Sequence, residues 1–270
     1  MAAGWSIGAR LDPACGIAIC GADLSRPPAP ALKDEILTAF RDHHVVLFPQ
    51  QSLSREQLFT FVAEFGEVET HRSKSGEPKR HGVAHILSNL DAAGNPVARF
   101  SPAANYHWHT DKPYHAAPPM LTALYAVELP PAGGDTAFAN MTLAYEALPA
   151  AVKQRIAGLR VAFRPAFDAA LPGADHPLVR THPDTRRKSL YIGNHSAGIV
   201  GLPKAEGLAL LADLLTHATQ PEFVYTHRWQ LGDLVMWDNR CLLHRAVANY
   251  AADTYRRIMH RSVVRGSIPV

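Results

Sequence analysis

Apolar and polar positions along the chain follow two periods, one of strands and one of helices. Apolar and small residues alternate through GIAICGADL and stop at RPPAP, which predicts a strand closed by a proline-rich turn. A helix is expected from about Ala31 to Phe40, and HHVVLFPQ has the β-branched and aromatic content of a buried strand. SLSREQLFTFVAEFG carries the capping-box spacing Ser54 to Gln57 and ends in glycine, so a capped helix follows. Between about 73 and 104 the chain is rich in Gly, Pro, Lys and Ser around HILSNL, which predicts lid-like loops flanking one strand.

MLTALYAVELP and GDTAFAN read as strands separated by the turn PAGG, and MTLAYEALPAAVKQRIAGL as one amphipathic helix. A second lid-like loop is expected over about 164–183. KSLYIG then returns to strand, KAEGLALLADLLTHAT is helical, and EFVYTHRWQ, GDLVMWDN and TYRRIMHRSVVRG close the chain as strands. No repeat appears. The pattern predicts a single domain over 1–270, mainly β with flanking helices, of sandwich or jelly-roll type.

Composition narrows the class. Of 270 residues, 47% are hydrophobic and 19% charged, as in ordinary packed globular proteins. The 27 basic and 24 acidic residues are interspersed, which argues against a nucleic-acid arm. With no apolar leader and no long apolar run, neither secretion nor membrane insertion is expected, and a cytoplasmic location is the default. Three cysteines, Cys15, Cys20 and Cys241, lack paired spacing and are expected to be reduced thiols. The unusual feature is 15 histidines, because imidazole is the commonest transition-metal ligand.

In NYHWHTDKPY, His109 and Asp111 stand two apart, so on extended backbone both project from one face and can hold one ion. His107 shares that face and competes for the role. WDNRCLLHRAV offers His244 as a distant third ligand. Two histidines and a carboxylate suit a non-haem Fe(II) centre with three open positions, while satisfied structural histidines are the bland alternative. In TYRRIMHR, strand alternation puts Arg257 and Arg261 on one face and Arg256 on the other.

Taken in order, WHTD, GGDT, WDNRCLLHRAV and RRIMHR closely resemble the taurine dioxygenase and aryloxyalkanoate (2,4-dichlorophenoxyacetate-type) dioxygenase family, and GIAICGADLSRP resembles its N-terminal strand. The resemblance implies a double-stranded β-helix (jelly-roll) core, Fe(II), 2-oxoglutarate and O2, and a homo-oligomer, dimer or tetramer. By motif position it assigns His109, Asp111 and His244 to the metal, and Arg257 with Thr136 to 2-oxoglutarate. Arg256 remains an alternative, because the loop after His244 is about two residues longer than in the taurine enzyme. His71, Asn105, His195 and Arg261 take positions of substrate contacts. The implied reaction hydroxylates a small carboxylate or sulfonate, with C–O or C–S cleavage where the carbon bears an ether or sulfonate, and releases succinate and CO2. A cupin-like metal-dependent hydrolase or isomerase, or a catalytically silent metal-binding protein, are the competing readings.

Overall fold

The computed structural model describes residues 4–69, 82–98, 103–165 and 172–270. Along the chain come β1 (Ser6–Arg10), β2 (Ile17–Cys20), α1 (Pro30–His43), β3 (Val45–Phe48), α2 (Arg55–Ala63) and β4 (His85–Ser88). After them lie β5 (Leu121–Glu128), β6 (Thr136–Asn140), α3 (Met141–Ala147), α4 (Ala150–Ile156), β7 (Arg160–Phe163), β8 (Ala174–Pro177) and β9 (Val179–Thr181). The remainder is β10 (Lys188–Leu190), β11 (Ser196–Ile199), α5 (Lys204–Ala218), β12 (Val224–His227), β13 (Leu234–Asp238), β14 (Leu242–Ala246) and β15 (Ile258–Val264). Among the described residues no helix is long and apolar enough to cross a membrane.

Local chemistry sets several boundaries. The expected capping box opens α2, with Ser54 accepting from the Gln57 amide and Gln57 reaching back to the Ser54 amide. The single helix expected over MTLAYEALPAAVKQRIAGL is two. Leu148 precedes Pro149, and the proline ring drives it to extended backbone at φ −62°, ψ 143°, which ends α3 and lets α4 start afresh. The expected loop over 164–183 contains two short strands, because β8 pairs antiparallel with β7 and β9 with β10. Residues 73–81, 99–102 and 166–171 of the two expected loops, and His71, lie outside the described residues.

A seven-stranded sheet in the order β1-β2-β3-β13-β5-β15-β4 is the largest layer, and a three-stranded sheet β12-β6-β14 packs against it. Strand alternation divides the large sheet's side chains between two cores. On β13, Leu234 and Met236 join Ile36, Phe40, Phe48 and Phe61 under α1 and α2, whereas Val235 and Trp237 face Phe138, Tyr225 and Leu242 of the smaller sheet. A third core lies under α3 and α5 against β7 and β10. The chain is thus mainly β with helices flanking it.

Phe138 is the hinge of the middle core. It is fully buried on β6, stacked at 6.2 Å on Tyr225 and tilted against Trp237 at 5.5 Å and His244 at 6.4 Å. Phe138→Ala is expected to destabilise the fold by about 3–5 kcal/mol, read as a lowered urea midpoint, since the rigid sheets around it cannot collapse into the void.

Candidate metal centre and cosubstrate site

The site forms where the segment at 109–111 meets β14. His109 and His244 exchange two backbone hydrogen bonds, at 3.0 Å and 2.8 Å, which sets their rings 4.1 Å apart between centroids. Extended backbone then carries Asp111 to the same face as His109. Thr110, between them, points the other way and donates its hydroxyl to the carbonyl of Asn239 at 2.8 Å. One ligand atom from each of His109, Asp111 and His244 lies within 4.8 Å of the others, and all three residues are buried.

The protonation states suit a divalent metal. Burial lowers the pKa of both imidazoles, outweighing the pull of Asp111, so both rings are neutral at neutral pH. Burial alone would raise the Asp111 carboxyl, but the Arg261 guanidinium and the Thr122 hydroxyl hold it well below the usual carboxylate range. At His109 the Nδ1–H donates to the carbonyl of His107 at 2.8 Å, which leaves Nε2 to bind. The Nδ1 of His244 is buried with no hydrogen-bond partner among the described residues. Two neutral nitrogen donors and an ionised oxygen donor without sulfur fit an iron(II)-type ion.

The competing His107 is exposed. Arg256 is also excluded from the centre, since it is exposed and engages Glu128 and the carbonyl of Gly94, each at 2.9 Å. Arg257 is only 5% exposed, and its Nε donates to the carbonyl of Gly134 at 3.1 Å. Gly134 sits at φ +73°, and a Cβ there would stand 3.1 Å from that same Nε, so glycine is what lets the arginine lie against the turn.

A cavity between the two sheets is lined by His109, His244, Thr136, Arg257, Arg261 and Asn105 together. The Thr136 hydroxyl accepts from the indole of Trp229 at 3.0 Å, which commits an acceptor lone pair and leaves its O–H to donate. Arg257 also borders a small adjoining cavity with Tyr106 and Tyr250. A larger cleft of roughly 820 Å³, lined by Lys112, Tyr114 and Arg265, has none of His109, Asp111 and His244 on its wall, whereas the smaller cavity has both histidines.

Arg261, on β15, reaches the same cavity, with Nη1 3.7 Å from Asp111 Oδ1 and a buried Nε that has no hydrogen-bond partner among the described residues. His195 is not on that cavity's wall. Its ring packs edge-on against Tyr114 at 5.1 Å, yet it is close enough for His109 and Asp111 to influence its titration. Sequence reasoning missed Trp229, Thr122 and Asn239; Trp229 reaches Thr136 across 93 residues and Asn239 reaches Thr122 across 117, while Thr122 lies 11 residues from Asp111.

Buried two-histidine, one-carboxylate geometry on a β scaffold, with a guanidinium and a hydroxyl in the same cavity, defines a non-haem metal oxygenase type of centre. The chain belongs to the taurine catabolism dioxygenase TauD, TfdA family, whose family model matches residues 8–263. It is 40% identical over 233 residues to an alpha-ketoglutarate-dependent 2,4-dichlorophenoxyacetate dioxygenase of Cupriavidus pinatubonensis, covering 78% of this chain and 81% of that one. It is 32% identical over 278 residues to an (S)-phenoxypropionate/alpha-ketoglutarate-dioxygenase of Sphingobium herbicidovorans, covering 96% and 94%. Among solved structures it resembles AAD-2 in complex with Mn(II) and N-oxalylglycine, with TM-score 0.86, 33% identity and 98% of both chains covered.

Proposed function

We propose that the chain is an Fe(II)- and 2-oxoglutarate-dependent dioxygenase that hydroxylates a small organic anion, with His109, Asp111 and His244 as the metal ligands. The observation that carries this reading is the cavity whose wall brings His109 and His244, grouped with Asp111, together with Arg257 and Thr136. A hydrolase or isomerase would use the metal but would have no need of Arg257 and Thr136. The two facing sheets support a double-stranded β-helix as the core, and the free thiols Cys15, Cys20 and Cys241 agree with a cytoplasmic location. A dimer or tetramer is the assembly we expect.

Fe(II) with 2-oxoglutarate and O2 supplies, when bound, an oxidant able to take hydrogen from an unactivated C–H, with succinate and CO2 as coproducts. The chain's own residues bind and orient. Arg257 pairs with the distal carboxylate of the cosubstrate and Thr136 donates to it, an arrangement that fixes direction as well as charge. Burial of the triad excludes water from the reacting carbon. Arg261, whose Nε is without a hydrogen-bond partner among the described residues, lines the same cavity and takes the anionic head of the organic substrate, and Asn105 lines the approach. His195 and His71 are weaker candidates for substrate contact.

The relatives named for phenoxyalkanoates favour an aryloxyalkanoate carboxylate over a sulfonate. Hydroxylation of its ether carbon gives a hemiacetal, or from an aryloxypropionate a hemiketal, which collapses to a phenol and the corresponding aldehyde or ketone. Succinate release measured over a panel of aryloxyacetates, aryloxypropionates, alkyl sulfates and sulfonates tests this, with the aryloxy acids expected to give the highest kcat/KM. Arg261→Leu should raise the KM for the organic anion roughly 10- to 150-fold, the worth of a charged hydrogen bond, while the KM for the cosubstrate changes little. Equal rises in both constants would contradict the assignment.

A further inference from the structure

Asp111 does not stand alone behind the centre. Its Oδ2 accepts the Thr122 hydroxyl at 2.5 Å, and the Thr122 oxygen in turn accepts from Nδ2 of Asn239 at 2.9 Å. The orientation of the Asn239 amide is forced, because its Oδ1 receives the indole N–H of Trp237 at 3.1 Å and the backbone N–H of Asp111 at 3.4 Å. A flipped amide would set an NH2 group against both of these obligate donors. Asn239 therefore must donate to Thr122, and the single proton of Thr122 must go to Asp111. All four residues are buried.

We propose that Asn239 and Thr122 are positioning residues that tie back one oxygen of Asp111, so that the carboxylate meets the metal through Oδ1 alone. This inference rests on the function proposed above. An octahedral ion with three protein donors has three positions left, two for the chelating cosubstrate and one for O2. A carboxylate free to rotate can chelate through both oxygens and take one of those positions. The relay prevents this by holding the plane of the carboxylate from behind, and the β13–β5 pairing of Trp237 with Thr122 keeps both ends of the relay in register. WDN is thus more than the lead-in to the strand that carries His244.

Co(II) serves as a spectroscopic probe of the protein, titrated anaerobically with and without 2-oxoglutarate. Thr122→Val, nearly isosteric, is expected to weaken Co(II) binding about 10- to 100-fold, the usual effect of losing a residue that orients a ligand. It should also change the intensity of the visible d–d band and weaken 2-oxoglutarate binding to the Co(II) form. Thr122→Ser, which keeps the hydroxyl, should restore all three readouts, and Asn239→Leu should resemble Thr122→Val. Folding of each variant is checked by circular dichroism, and if Asn239→Leu does not fold, the Val and Ser variants at 122 decide. If folded Thr122→Val binds Co(II) and 2-oxoglutarate as the unmodified protein does, with the same band, while Asp111→Ala binds no Co(II), the relay is overturned and the triad stands. If Asp111→Ala binds Co(II) like the unmodified protein, the triad itself falls and the relay with it.

Discussion

Asp111→Ala is expected to abolish Fe(II) binding and, with it, all 2-oxoglutarate-dependent succinate formation. Asp111 is the only anionic donor of the triad and is held ionised against its burial by Arg261 and Thr122. Without it, two neutral imidazoles face Arg261 with no charge to balance a divalent cation. The loss should exceed the roughly 10- to 100-fold that removal of a supporting residue costs, since a ligand itself is gone. The fold should survive, because Asp111 lies outside the strands and the three apolar cores do not include it. Thermal unfolding close to that of the unmodified protein, together with absent metal binding by calorimetry, is the expected pair of results. Turnover at the unmodified rate would contradict the ligand assignment.

Arg257→Leu should raise the KM for the 2-oxoglutarate cosubstrate by roughly 10- to 150-fold, the equivalent of one charged hydrogen bond of about 1.5–3 kcal/mol. The arginine is almost wholly buried beside Thr136 in the cavity that His109 and His244 line. Its exposed neighbour supplies the control. Arg256→Leu removes a partner of Glu128 at the surface and should leave the same constant unchanged. Steady-state rates measured against 2-oxoglutarate concentration at saturating Fe(II) check both. Equal effects at 256 and 257 would show that local strand disruption, not carboxylate recognition, is being measured.

The features legible in the sequence are those carried by short local periods. The HxD pair is legible because two positions on extended backbone share a face, and Thr110 turning the other way is the same alternation seen from behind. Arg257 and Arg261 are placed together by that rule. The grouping of His109, Asp111 and His244 needs more, because the backbone pairing of His109 with His244 closes the site, and such non-local pairing leaves no periodic trace. For the same reason Asn239 is invisible as a partner of Thr122, which lies 117 residues away. β8 and β9 read as loop because proline, aspartate and histidine depress strand propensity there, while pairing with β7 and β10 overrides it. The break at Leu148 is signalled by the proline that follows, but the amphipathic pattern continuing through α4 obscures it.

The most direct test of the central claim is anaerobic addition of Fe(II) and 2-oxoglutarate to metal-free protein, followed by O2. The expected result is a weak visible charge-transfer band that requires both additions, is absent from Asp111→Ala, and gives way on admission of O2 and an aryloxyalkanoate to succinate and a phenol in equal amounts. Failure of the unmodified protein to develop the band or to release succinate with any carboxylate or sulfonate of the panel would contradict it.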